Sequence, residues 1–298
     1  MTSPNGTVTT LAHGGYTATV TEVGGGLHSL SFEGRELVVS WPLDGICINH
    51  RGSVLAPWPN RIADGRYTFG GKAQQLPLNE VDRHNAIHGL ASWLPFGVVE
   101  AGDDHVTVAA RIWPQTGYPF LVDVTVRYGL DDDGLTWDIT ATNNGDSPAP
   151  YGASVHPYLV AGPGHVDDWT LLVPAAEVLE VDGERLLPTG VAPLPPELDF
   201  RTARAIGATK IDHAYTELTA QRVELRTADG SGVALDIGDA EHWVQVHTAD
   251  RPEPERNRIG MAIEPMTCPP DAFNSGTDLV VLEPGASHTL SLRISALV

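Results

Sequence analysis

The chain has 298 residues, 42% of them hydrophobic, which is enough for one sizeable core. Its 38 acidic and 18 basic residues give a formal net charge of −20, which disfavours a nucleic-acid partner and attraction to an anionic membrane. With 31 glycines and 23 prolines, the sequence is punctuated too often for long helices. No apolar run approaches the roughly 20 residues needed to span a bilayer, and MTSPNGTVTTLAHGG lacks the regions of a signal peptide, so a cytoplasmic protein is expected. Two cysteines, Cys47 and Cys268, make neither a disulfide framework nor a zinc signature.

In chain order, the first informative stretch runs from Pro57 to Gly89. It opens PWPNRI, passes through a strand-like GRYTF and closes AIHGL, so that Arg61 and His88 are expected on one rim. Arginine brings a rigid fork of donors, and histidine donates or accepts near neutral pH. Next, Val122, Val124, Val126 and Tyr128 alternate with polar residues, and after the turn at Asp131 to Gly134 so do Leu135, Trp137, Ile139 and Ala141. This is a hairpin with one buried face. Prolines between Pro188 and Pro196 predict a surface loop, and a minor helical piece is expected near Arg201 to Ile206. Val223 and Leu225 repeat the alternation with Val233, Leu235 and Ile237 across ADGSG; Arg251 to Glu255 reads as another surface loop, and Leu290, Leu292 and Ile294 form a last strand. No window carries a sustained 3.6-residue apolar stripe. The expected fold is all-β, a single domain built as a large antiparallel β-sandwich.

Two downstream clusters carry polar residues in unusual company. SVHPYL places His156 before a proline, which biases its backbone to extended geometry. MAIEP sets Glu264 in an apolar run, and burial of a carboxylate costs several kcal/mol unless partners compensate. Asp212 in IDHAY is weaker evidence, because aspartate before a loop is ordinary turn chemistry. Competing motifs fail: Gly24 to Gly26 lacks the lysine of a phosphate loop, Glu241, His242 and His247 do not form HExxH, and GASVH is not a GxSxG elbow.

Six strings in this order resemble the aldose 1-epimerases, or galactose mutarotases, over nearly the whole chain. They are PWPNRIADGRYTFGG, AIHGL, GYP at Gly117 to Pro119, SVHPYL, IDHAY and AIEPMTCPPDAFNSG. The resemblance implies interconversion of the α and β anomers of a hexose, with Glu264 as general base and His156 as general acid. It implies that Arg61, Asn60, His88 and Asp212 hold the sugar, with no metal and no cofactor, in a monomer or homodimer. Trp58, Trp93 and Trp113 are candidates for an aromatic platform beneath the sugar. Departures from the family strings at Leu90, Leu159 and Met266 alter the walls, and the stretch from Leu90 to Phe96 is the expected origin of sugar choice. Two alternatives stay open. One is a non-catalytic sugar-binding module on the same fold. The other is a mutarotase for a phosphorylated or sulfonated sugar, which calls for an arginine or a cluster of backbone donors beyond Arg61, with Arg83, Arg111 and Arg127 available.

Overall fold

The computed structural model describes residues 3–239 and 241–298. Two large antiparallel sheets dominate it. One has nine strands, beginning at Gly97–Ala101 and including the long neighbours His105–Ile112, Val122–Asp131, Gly134–Asn143 and Ser287–Leu297. The other has eight, with the central order Ala175–Val181, Asp212–Leu218, Trp243–His247, Met261–Met266, Ser154–Val155 and Val54–Leu55. A four-stranded meander covers the N-terminal end.

The predicted hairpins are present. Val122–Asp131 pairs with Gly134–Asn143, and Arg222–Arg226 pairs with Gly232–Ile237. Period-two alternation sends Val122, Val124, Val126 and Tyr128 into the core with Trp137 and Ile139, all fully buried. Val244, Val246 and Ile263 meet this core from the eight-stranded sheet. Their strand neighbours Gln245 and Glu264 therefore point to the opposite face of that sheet. The all-β sandwich of the sequence reading is the fold observed.

Two local expectations are corrected. Pro188–Pro193 is an edge strand paired to Ala175–Val181, a position where proline's missing N–H leaves no ladder bond broken. The segment near Arg201 to Ile206 contains no helix; Arg204–Ala205 is a short strand paired to Thr170–Leu172. Backbone partners on the sheet edge outweigh the weak local helical preference there. No helix among the described residues is long and apolar enough to cross a membrane.

Candidate functional site

A cleft of about 680 Å³ opens on the outward face of the eight-stranded sheet. Strand register builds its floor. Gln245 stands opposite Glu264 on adjacent strands, and Asp212 stands opposite His247 on the next pair. Gln245 Nε2 donates to Asp212 Oδ1 at 2.7 Å, which fixes that carboxylate and leaves its other oxygen open.

His156 follows the short strand Ser154–Val155, whose Ser154 is paired with Met266 at one end and Leu55 on the other side. Main-chain bonds from Gly52 N to His156 O and from His156 N to Ser53 O pin the residue at 2.9 and 3.1 Å. Its Nε2 lies 3.3 Å from Glu264 Oε1, with both side chains almost closed to solvent. Burial pushes Glu264 well above the ordinary carboxylate range, a shift that Asp212 augments and Arg61 opposes. Burial likewise pushes His156 well below the ordinary imidazole range, aided by His50 and His247. Burial therefore favours the neutral forms of both groups, with one proton held across the contact. Tyr158 stacks on the His156 ring with centroids 4.9 Å apart.

The opposite wall comes from the segment that begins PWPNRI. Arg61–Ala63 pairs with Asn85–Ile87, which brings Arg61 and His88 to the same rim although 27 positions separate them in the chain. Asn60 and His88 both adopt left-handed backbone, with φ of 50° and 63°, and Asn60 O accepts the His88 N–H at 2.9 Å. Glu80 grips Arg61 with both oxygens: Nε donates to Oε2 and Nη2 to Oε1, each at 2.9 Å. Asn85 Nδ2 donates to the same Glu80, and Arg61 Nη1 donates to Asn60 Oδ1 at 3.3 Å. From behind, the DAFN string supports this strand, for Asp271 N donates to Arg61 O and Asp271 Oδ1 accepts from Ala63 N. His50 joins His88 and His156, its centroid 4.7 and 6.4 Å from theirs, and burial lowers His50 to about 4.

All six expected residues, Asn60, Arg61, His88, His156, Asp212 and Glu264, line this one cleft. The expected tryptophans do not. Trp58 is buried against Phe273, Trp113 is exposed beneath Arg111, and Trp93 is exposed in a separate small groove beside Cys47. Nor does the stretch from Leu90 to Phe96 form a wall. Ala91 and Phe96 are fully buried, and the turn that follows Gly89 carries the segment under the N-terminal strands. Leu159 and Met266 are core residues as well. The apolar part of the wall is instead Val181, Leu186, Ile87 and Ile211. Glu80, Gln245, His50 and Tyr158 went unnoticed as functional residues; Tyr158 lay within a quoted string, while the other three carry no local signal.

The sequence model of the aldose 1-epimerase family matches residues 7–295. The chain belongs to this family. Across 292 residues, 97% of this chain and 93% of its relative, it is 39% identical to the uncharacterized protein YihR of Escherichia coli (strain K12). It is 34% identical to the galactose mutarotase of Mus musculus over 149 residues, 47% of this chain and 41% of that protein. The aldose 1-epimerase fold extends to a solved structure, the GalM/aldose epimerase homologue from C. elegans. The TM-score is 0.85 at 21% identity, with 97% of this chain and 98% of that one covered.

Proposed function

We propose that the protein is a mutarotase that opens and recloses the ring of a hexose, with Glu264 and His156 as its proton-transfer pair. The observation that carries this reading is the 3.3 Å approach of His156 Nε2 to Glu264 Oε1 on the floor of a cleft walled by hydroxyl-binding groups. Mutarotation needs one base and one acid at once, and the pair holds one proton between two sites.

The sequence reading assumed an ionised Glu264 facing a protonated His156. Burial favours the neutral tautomer in the free cleft, because both charged forms lose hydration there. The two tautomers have the same proton inventory and interconvert by transfer across the contact. Arg61, whose charge favours the Glu264 carboxylate, helps supply the charge-separated form. Glu264 then takes the proton of the anomeric hydroxyl while His156 delivers its proton to the ring oxygen. The C1–O5 bond breaks, the free aldehyde forms, and rotation about C1–C2 presents its other face. Closure reverses both transfers and restores the pair. Each positioned acid or base contributes about 10²–10⁴-fold, which suits a reaction with a modest uncatalysed barrier.

Arg61, Asn60 and His88 on one wall and Asp212 on the other hold the sugar hydroxyls, cation opposite anion. Tyr158 is the aromatic residue on the site floor. The test is anomer exchange: freshly dissolved α-glucose and α-galactose reach equilibrium faster with purified protein than in buffer, followed by polarimetry or exchange NMR. Saturable sugar binding with no acceleration would instead identify a non-catalytic binding module.

A further inference from the structure

The two walls of the cleft come from separate parts of the fold, and one turn joins them. Residues 182–187 connect the strand Ala175–Val181 to the edge strand Pro188–Pro193, and Asp182, Gly183 and Leu186 line the cleft. The turn is built on its own aspartate. Asp182 Oδ1 accepts from Glu184 N at 2.9 Å and Arg185 N at 2.6 Å, and Oδ2 accepts from Leu187 N at 3.1 Å. From this tip Arg185 reaches across to the wall that carries Arg61. Its Nε donates to Arg83 O at 3.0 Å, and Nη2 donates to His84 O and Asp64 Oδ1, each at 2.9 Å. Arg83 and His84 end the short helical turn Val81–Arg83, so the guanidinium caps carbonyls that a helix terminus leaves free. Among the described residues, every hydrogen bond between residues 182–187 and this wall runs through Arg185.

An exposed ion pair would explain only the Asp64 contact, because the side chains of Arg185 and Asp64 are 32% and 54% exposed and such pairs contribute little. The decisive partner is Asn85, which is fully buried. Its Nδ2 donates to Arg185 O at 3.0 Å and to Glu80 Oε2 at 2.9 Å, and its Oδ1 accepts from Arg185 Nη2 at 3.2 Å. Both amide hydrogens are used, so Asn85 cannot turn without breaking a bond. Glu80 and Asn85 also exchange main-chain bonds, N to O in each direction, at 3.1 and 3.2 Å. Glu80 in turn grips Arg61 with both oxygens. An unbroken series of hydrogen bonds therefore runs from Arg185 through Asn85 and Glu80 to Arg61.

We infer that Arg185 is a positioning residue for Arg61, acting through Asn85 and Glu80 from a turn that straps the two walls of the cleft together. The inference rests on the mutarotase reading for its kinetic consequence alone. Without the Arg185 side chain, the Asn85 carbonyl and two main-chain carbonyls of the wall each lose a donor. Residues 80–85 are then free to shift Glu80 beneath Arg61. A guanidinium that holds sugar hydroxyls acts on the bound sugar before and during proton transfer alike. Its misplacement therefore weakens binding more than it slows the chemical step.

Anomer-exchange NMR would compare the wild type with Arg185→Met, Arg185→Lys and Asp64→Asn. Arg185→Met is expected to raise KM about tenfold, the scale of a hydrogen bond to a charged group, while kcat changes by less than about threefold. Arg185→Lys keeps the charge without the planar fork and should raise KM less, which also keeps the test open if Arg185→Met does not fold. Asp64→Asn removes only the charge of the exposed pair and should leave KM within about twofold. Added to Glu80→Gln, Arg185→Met should raise KM by far less than the product of the two single effects, because both act on Arg61. Hydrogen–deuterium exchange of residues 80–88 should quicken in Arg185→Met while the hairpin of Val122–Asp131 and Gly134–Asn143 keeps its protection. Unchanged KM in Arg185→Met, an effect confined to kcat, or full multiplication with Glu80→Gln overturns the proposal. If the wild type exchanges no anomers, the mutarotase reading fails by itself, and the NMR signal of the Arg61 Nε–H tests the strap instead. Faster solvent exchange of that hydrogen in Arg185→Met upholds the positioning role, and an unchanged rate overturns it.

Discussion

His156 Nε2 and Glu264 Oε1 stand 3.3 Å apart, and each group's environment opposes the charge that the other would want. The pair acquires a second proton only when His156 protonates beside a protonated Glu264. Burial places that event below the ordinary imidazole value of 6.5. The acid limb of kcat/KM is therefore expected below pH 6.5, read from a pH profile of anomer exchange. A limb at or above that value contradicts the shared-proton arrangement.

Glu264→Gln and His156→Asn should each lower kcat by about 10²–10⁴-fold. Neither should unfold the protein, since Glu264→Gln replaces a buried titrating carboxyl by a neutral isostere. Circular dichroism melts alongside the kinetics would show this separation. Full activity in Glu264→Gln would remove it from the proton-transfer pair.

Glu80 touches no expected substrate atom, yet both its oxygens orient Arg61. Glu80→Ala leaves a mostly buried guanidinium unpaired, at a cost of roughly 3 kcal/mol in stability. Glu80→Gln should be milder, raising KM more than it lowers kcat, because a neutral amide can still orient one Arg61 nitrogen. A fall in kcat with KM unchanged would argue against a positioning role.

Gly89 has φ of +70°, and a Cβ there would lie 2.2 Å from the Ala56 carbonyl oxygen. The nearest atoms are all Ala56 backbone, which cannot swing aside as a flexible side chain would. Gly89→Ala is expected to destabilise by more than about 2 kcal/mol and to disturb His88, its neighbour on the rim. Urea denaturation would measure the first effect and sugar affinity the second.

Glu241 lies outside the site, fully buried, and burial raises it to about 7; Oε1 accepts from Ser291 N while Oε2 has no partner among the described residues. A carboxyl raised on folding contributes its stability below pH 4.5, and that contribution is lost as pH rises through 7. Glu241→Gln should thus be more stable than the wild type at pH 8, by as much as about 3 kcal/mol, and nearly equal to it at pH 4. Thermal melts at the two pH values test the sign.

Much of the site was legible because its residues sit in strings with their own local logic. Glu264 stood out as a carboxylate in a strand otherwise apolar on both faces, and the strand Met261–Met266 is indeed buried throughout. His88 and Asn60 lie in turns whose positive φ marks a backbone shaped to aim side chains. Glu80 and Gln245 were not legible. One sits in an unremarkable loop and the other in a strand pattern indistinguishable from core, and their importance is a matter of what stands across from them. The tryptophans misled for the converse reason. A large aromatic ring serves a core or a binding wall equally well, and only packing against Phe273 assigned Trp58 to the core.

The sequence by itself determined the alternation that makes the long hairpin strands two-faced, and with it the antiparallel sandwich, because side-chain direction along a strand has a period of two. It also determined the family and the six residues that meet in the cleft. Tertiary structure alone decided their protonation and their company. Burial of Glu264 against His156, the clasp of Glu80 on Arg61 and the bond from Gln245 to Asp212 all depend on contacts between distant segments. Desolvation and charge pairing act through space, and no local spacing records them.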